Sequence, residues 1–402
     1  MKIVIAPDSF KETLTAARVA AAIGAGVLKA VPDAIVDLCP MADGGEGTVD
    51  AMVWATGGRL LSADVFDPLG APIRAHLGML GRRTGTALPG EVGLLAAMAA
   101  SGEEAAGDSG VAVIEMAAAS GLELIPPEMR DPTRTTTFGT GQLILAALDA
   151  GAKEIIIGIG GSATVDGGCG CAQALGVTFI GRDGQAMVCG LSGGGLKDIE
   201  GIDVSGIDPR ISQTRIRVAC DVTNPLTGPS GAAHIYGPQK GATPEMVERL
   251  DAGLAHLADV IRRNLGVDVE PTAGSGAAGG LGGGLMAFTG ATLQRGIDIV
   301  AGAVGFGKRL ADADLVITGE GRLDASSANG KTAVGVAAMA KLAGVPVICI
   351  PGQATPDAQT LAFVAVRPLA DDQISTRQAM ARPEELLTIR AAEAVRDYVA
   401  GK

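Results

Sequence analysis

The chain has 402 residues, enough for two domains with cores of their own, and 47% of them are hydrophobic while only 2% are aromatic. That composition excludes a disordered chain and predicts a core of Ala, Val, Ile and Leu. A formal net charge of -12 argues against a nucleic-acid or anionic-membrane partner.

The first residues, MKIVIAPDSF, carry too short an apolar run for a signal segment, so 2–6 read as a strand. A helix is predicted over 13–30, with Val19, Ile23, Val27 and Ala30 on one face. Further strands are predicted at 35–38, 111–116, 154–159, 216–219, 314–318, 345–350 and 362–366. In 243–265, Val247, Leu250, Leu254, Leu257, Ile261 and Leu265 recur at helical spacing. Thr243 is a natural N-cap there, with Pro244 at the first helical position. Alternating strands and helices predict an α/β fold with largely parallel sheets and ligands at the carboxyl ends of strands. The stretch 82–110, rich in Gly, Ala and acids, reads as a surface excursion with one short helix. No apolar run is long enough for a membrane span, and the six cysteines show no zinc spacing. A soluble cytoplasmic protein with reduced thiols is therefore expected, a redox pair at Cys169 and Cys171 being the rarer alternative.

Glycine numbers 60 residues, roughly twice the usual share of about 7%. It gathers with acids at predicted strand ends: ADGGEGT at 42–48, GIGGSATVDGGCG at 158–170, CDVTNPLTG at 220–228 and GEGRLD at 319–324. A further string, GSGAAGGLGGG at 274–284, has no acid. Bare backbone amides form anion-binding concavities, and carboxylates beside them would repel phosphate unless a divalent cation stood between. Mg²⁺ uses one or two carboxylates together with phosphate oxygens and water, so these strings fit a nucleotide with magnesium. The blander reading, tight turns whose acids cap helices, holds about equally well for any one string.

Two formal motifs are weaker. Gly158-x-Gly160-x-x-Ala163 satisfies a dinucleotide-binding pattern, with 178–180 as the second strand and Asp183 as its acid. Residues 325–332, ASSANGKT, fit a relaxed phosphate loop but do not follow their strand directly. Among cations, Lys11 lies just past the first strand and Arg322, Arg134 and Lys240 lie among polar loop residues; Lys331 opens a helix. For Lys240 a solvated surface position is the simpler reading. His76, His234 and His256 have no metal or triad spacing.

Taken together, PDSFKETL (7–14), MADGGEGTVDAM (41–52), VIEMAAASGL (113–122), FGTG (138–141), GIGGSATVDGGCG (158–170), ACDVTNPLTGPSGAA (219–233), YGPQKGATPEMVE (236–248), GSGAAGGLG (274–282) and DLVITGEGRLD (314–324) resemble the bacterial type I glycerate kinase family. The resemblance spans nearly the whole chain in collinear order. It departs in the longer 82–110 excursion and at Ser326 and Ala333, where the family tends to carry Gln and Pro. It implies ATP-dependent, Mg²⁺-assisted phosphorylation of D-glycerate, with 2-phosphoglycerate the product generally assigned to this class. It also implies two α/β domains with the active site in the cleft between them. One is Rossmann-like and discontinuous (1–66 and 291–402), the other inserted (67–290).

Phosphoryl transfer asks a protein for positioning and charge neutralisation. On the resemblance, Lys11 and Arg322 supply positive charge, and Asp43, Glu46, Asp166 and Asp221 are candidates for magnesium binding or proton acceptance. Asp166 is placed first as the base because it stands between two glycine turns with no visible capping duty. The catalytic set is thus Asp166, Lys11, Asp43 and Arg322, and the metal-facing set Asp221, Glu46, Glu320 and Asp324. Gly160, Gly161, Ser162, Gly276, Gly279 and Gly280 are the expected nucleotide cradle. A homodimer is expected without a sequence signature of its own. Alternatives are phosphorylation of the 3-hydroxyl, a nicotinamide-dependent oxidoreductase built on 158–163, and a non-catalytic binding protein.

Overall fold

A computed structural model describes residues 1–82, 87–89, 109–324, 331–355 and 363–401. Two six-stranded sheets organise them. The first runs, edge to edge, Ala365–Val366, Val347–Cys349, Leu315–Thr318, Lys2–Ile5, Ile35–Leu38 and Ala87–Pro89, parallel except for the last strand. The second runs Thr292–Gln294, Arg215–Ala219, Glu154–Gly158, Val111–Glu115, Pro72–Met79 and Arg59–Phe66. Its first four strands are parallel and its last two form an antiparallel hairpin. The expected α/β fold with largely parallel sheets is the fold observed.

Parallel strands buried on both faces should be continuously apolar, and Ile3, Val4, Ile5 and Ile155, Ile156, Ile157 are fully buried. Helix Pro244–Leu265 starts where Thr243 and Pro244 predict, with the Thr243 hydroxyl accepting from the Met246 N–H at 3.3 Å. The first helix begins later than expected, at Ala16, with Thr15 as its cap. Residues Phe10–Leu14 are spent instead on a tight turn closed by reciprocal backbone bonds of 2.9 Å between Phe10 and Leu14.

The expected domain boundary at 66/67 cuts through the hairpin, because Arg59–Phe66 pairs along its whole length with Pro72–Met79. At the other boundary Thr292–Gln294 extends the second sheet beside Arg215–Ala219. Ala87–Pro89, from the middle of the expected insertion, pairs with Ile35–Leu38 in the first sheet. Most of the 82–110 excursion and residues 325–330, including Ser326, lie outside the described residues, as does residue 362 of the last predicted strand.

Asp37, buried in the strand Ile35–Leu38, is held by the guanidinium of Arg309, which is 1% exposed. Arg309 also donates to the carbonyls of Leu38 (3.2 Å), Ala55 (3.0 Å) and Val304 (3.2 Å). One cation thus ties a strand end to the last turn of helix Thr48–Thr56 and the end of helix Gly296–Ala303. The segment 39–47 leaves this strand, so Arg309 fixes where that loop starts. Arg309→Met, which leaves buried Asp37 with only the Lys2 ammonium at 3.9 Å, is expected to lower stability at pH 7 by about 1–3 kcal/mol. Denaturant unfolding measures it, and the double variant with Asp37→Asn should recover part of the loss.

Candidate active site

The loop after Ile35–Leu38 is wedged against the carboxyl end of the second sheet. A Cβ on Gly158 would lie 2.4 Å from the Gly44 carbonyl oxygen, and one on Gly296 would lie 1.7 Å from that of Asp43. Only glycine permits these approaches. They bring Asp43 beside Asp221, whose Oδ1 accepts from the Gly296 N–H at 2.9 Å. Burial raises the Asp221 carboxyl above its usual range, the Gly296 bond opposes this, and the like charge of Asp43 adds to it.

Asp43 also faces Asp8, at the end of the first strand. Burial, then repulsion from Asp43, pushes the Asp8 carboxyl up to about 6, against bonds from the Thr332 hydroxyl and the Ser9 N–H. Asp43 therefore lies within electrostatic reach of two other acids supplied by different elements. Asp8 was not among the expected site residues; its signal was the acid in PDSFK, overshadowed by the lysine. Glu115 was missed as well. It ends Val111–Glu115, accepts from the Val49 N–H at 2.8 Å at the start of helix Thr48–Thr56, and is raised by burial and by Asp50 and Glu46.

Two clefts flank the segment Ser9–Thr13. The smaller, about 600 Å³, is lined by Asp8, Asp43, Gly45, Glu320, Arg322 and Lys331 among others. The larger, about 1030 Å³, is lined by Trp54, Arg59, Arg74, His76 and Glu115. Lys11 and Glu46 line both. Glu12, next to Lys11, has φ 66°, a left-handed conformation rare for a residue with a side chain. The structure thus gathers Lys11, Asp43, Glu46, Glu320 and Arg322 around one cleft. Asp324 pairs with Arg322 at 3.2 Å. Among the described residues no group of three or more His, Cys, Asp or Glu could hold a metal ion alone.

Asp166 stands elsewhere and has other work. It is fully buried, and its carboxylate accepts from the Thr137 N–H and hydroxyl (both 2.7 Å), the Gly168 N–H (3.1 Å) and the Gly170 N–H (3.3 Å). It anchors the starts of helices Phe138–Asp149 and Cys169–Ala174, so the premise that it lacks a capping duty is overturned. Lys240 is also corrected: it is 1% exposed, not solvated. Its ammonium donates to Ser162 Oγ at 2.6 Å and the Thr164 carbonyl at 2.7 Å. Burial pulls its pKa down to about 7, opposed by the negative charge of Asp166.

The glycine strings separate as well. Gly276, Gly279 and Gly280 are buried, and a Cβ on Gly279 would lie 1.8 Å from the Thr164 carbonyl oxygen. Their closeness is to the protein's own backbone, and Gly276 and Gly280 donate to the carbonyls of Asn224 and Gly276. Gly160 and Gly161 are exposed, with Ser162 beneath them. The dinucleotide reading fails on topology. Thr178–Gly181 pairs antiparallel with Ile199–Asp203 in a separate ribbon, so the strand expected to carry Asp183 does not lie beside Gly158.

A glycerate kinase family model matches residues 3–399. The chain belongs to the glycerate kinase family. It is 50% identical to the glycerate kinase of Bacillus subtilis strain 168 over 361 residues, 90% of this chain and 87% of the relative. It is also 50% identical to the glycerate 2-kinase of Escherichia coli K12 over 357 residues, 89% and 86% of the two chains. A crystal structure from Salmonella typhimurium LT2, provisionally named glycerate kinase 2, superposes with TM-score 0.86 at 47% identity. That match covers 100% of this chain and 99% of the other. The protein is thus a kinase of this family, and no helix among the described residues is long and apolar enough to cross a membrane.

Two aspartate-to-asparagine changes should act in opposite directions on this glycerate kinase. Asp8 has a folded-state pKa of about 6 against an ordinary 3.8, so the folded protein holds the extra proton between those values. Stability falls as pH rises through that window, and the full penalty, on the order of 1–3 kcal/mol, persists above it. Asp8→Asn is expected to raise the melting temperature at pH 7.5, to change it little at pH 4, and to lower kinase activity. Asp166→Asn replaces two acceptor oxygens by one and sets an amide against a donor, and is expected to cost about 1–3 kcal/mol. Calorimetric melts of both variants at the two pH values check the contrast.

Proposed function

We propose that this glycerate kinase transfers the terminal phosphoryl group of ATP to the 2-hydroxyl of D-glycerate with Mg²⁺. The observation that carries the reading is Asp43, which repels both Asp8 and Asp221 and lines, with Asp8, a cleft that Lys11, Arg322 and Lys331 also line. Carboxylates kept this close are costly without a cation, and Mg²⁺ completes its shell with phosphate oxygens and water around one or two of them. Asp43 and Asp221 would hold the ion, which when bound neutralises charge on the phosphates. Glu46 and Glu320 stand close enough to the cleft to orient its waters.

Asp8 is suited to accept the proton of the attacking hydroxyl, since burial and Asp43 bring its pKa towards neutrality, where a general base works best. Lys11, between the clefts, would meet the carboxylate of D-glycerate or the transferred phosphoryl, and Arg322 would meet the charge that develops on it. The 2-hydroxyl is favoured over the 3-hydroxyl by the 50% identity to the glycerate 2-kinase of Escherichia coli. The two domains are proposed to close over the cleft, excluding water from the phosphoryl group.

The test is ADP release from ATP and Mg²⁺ with and without D-glycerate, followed by phosphorus–proton NMR of the product. Glycerate-dependent ADP with phosphorus coupled to the C2 proton is expected, and coupling to the C3 protons would move the reading to the 3-hydroxyl. Lys11→Ala is expected to reduce kcat/KM by about 10²-fold or more. An unchanged value would remove Lys11 from the site.

A further inference from the structure

A buried ammonium needs a reason. Lys240 lies beneath the turn Gly160–Ser162 and is met there by neutral partners, the Ser162 hydroxyl and the Thr164 carbonyl. The nearest anion, Asp166, has its oxygens filled by four other donors. An ammonium can only donate, so Ser162 Oγ is the acceptor in their bond. The hydroxyl proton of Ser162 is therefore left to point elsewhere, and among the described residues it has no acceptor. Above it, the exposed amides of Gly160 and Gly161 also find no acceptor among the described residues.

The rest of the turn is fixed. The Gly161 carbonyl accepts from the Leu122 N–H at 2.8 Å, and the Ala163 N–H donates to the Ser120 carbonyl at 3.0 Å. Its position is fixed too: a Cβ on Gly160 would lie 3.4 Å from the Cα of Gly45, which lines the cleft holding Asp8, Asp43 and Lys11. Two amides, one hydroxyl and a cation below them gather hydrogen-bond donors next to the acids of the same cleft.

We propose that the Gly160–Ser162 turn is an oxyanion subsite of the catalytic cleft, with Lys240 as the positioning residue that turns the Ser162 hydroxyl towards its ligand. The ligand chemistry is a carboxylate or phosphate oxygen, brought by D-glycerate or by the nucleotide. This rests on the kinase reading above and adds to it a residue that does not touch the substrate. Ser162 binds; Lys240 acts through Ser162.

Steady-state kinetics of Ser162→Ala, Lys240→Met and the double variant test it, with thermal melts as the control for folding. Ser162→Ala is expected to raise the KM of one substrate about tenfold and to leave kcat and the other KM within about threefold. A raised KM for D-glycerate assigns the carboxylate, and one for ATP assigns the phosphate. Lys240→Met should move the same KM, and the double variant should be no worse than Lys240→Met within about twofold, because the two act as one unit. Folded Ser162→Ala with both KM values unchanged overturns the subsite, and additive losses in the double variant overturn the role of Lys240. Calorimetric titration of ADP and of D-glycerate into the same proteins reads the subsite without turnover. An inactive wild type that still binds either ligand, more weakly after Ser162→Ala, would sink the kinase reading and keep the subsite; a wild type that binds neither overturns both.

Discussion

The approach of one backbone to another, at the loop Asp43–Gly45, is the constraint on which the site depends. This loop leaves the first sheet and ends against Gly158 and Gly296, both of which serve the second. Any side chain at either position would push the loop away by more than an ångström. That displacement would separate Asp43 from Asp221, and the ion proposed to lie between them could be shared only within a narrow range of distance. Arg309 fixes the other end of the lever by holding the strand from which the loop departs. The glycines and the buried arginine are therefore parts of one device, although neither touches the cleft chemistry.

Like charges gathered by this device oppose folding, and the protein carries that opposition. Asp8 and Asp221 are both raised partly by Asp43, so each makes the folded state easier to protonate than the unfolded chain. Asp166 is fully buried and its carboxyl too is raised by burial, but no neighbouring carboxylate adds to the effect and bonds from Thr137, Gly168 and Gly170 oppose it. Four donors and two helix starts surround it, and it stabilises what it touches. Residue type and neighbouring glycines do not distinguish the two cases. The like charge of Asp43, which adds to burial at Asp8 and Asp221 and has no counterpart at Asp166, does.

What was legible in the sequence follows from how far each signal reaches along the chain. Continuous apolar runs such as Ile155–Ile157 and the capped, periodic helix Pro244–Leu265 depend on neighbours within a few residues. Those elements, and through them the α/β class, could be read directly. The hairpin Arg59–Phe66 with Pro72–Met79 sits at a sheet edge, where one face need not be apolar, and its pattern is correspondingly faint. The partners of Asp166 were hidden for another reason: Thr137 lies 29 positions away. Lys240 follows a Pro-Gln pair and precedes a glycine, a surface signature, and only the fold slides it beneath residues 160–164. Within the cleft, Lys11, Asp43 and Arg322 were found because each follows a strand, while Asp8 was passed over beside its more conspicuous neighbour.

Glycine abundance itself divides once the fold is known, and the division bears on function. In the string 274–284 the missing side chains make room for the protein's own carbonyls, and the amides of Gly276, Gly280 and Gly283 are bonded internally. At Gly160 and Gly161 the backbone is exposed and its N–H groups have no acceptor among the described residues. Both cases cost the same conformational entropy on folding, so richness in glycine cannot by itself mark a ligand site. The destination of the amide can. A glycine whose N–H is bonded inward supports packing, whereas an exposed one above a buried cation, with no acceptor among the described residues, has a donor left to give. By that criterion the opening of GIGGSATVDGGCG is the part proposed to bind, and its second half, wrapped around Asp166, serves the fold that holds the first half still.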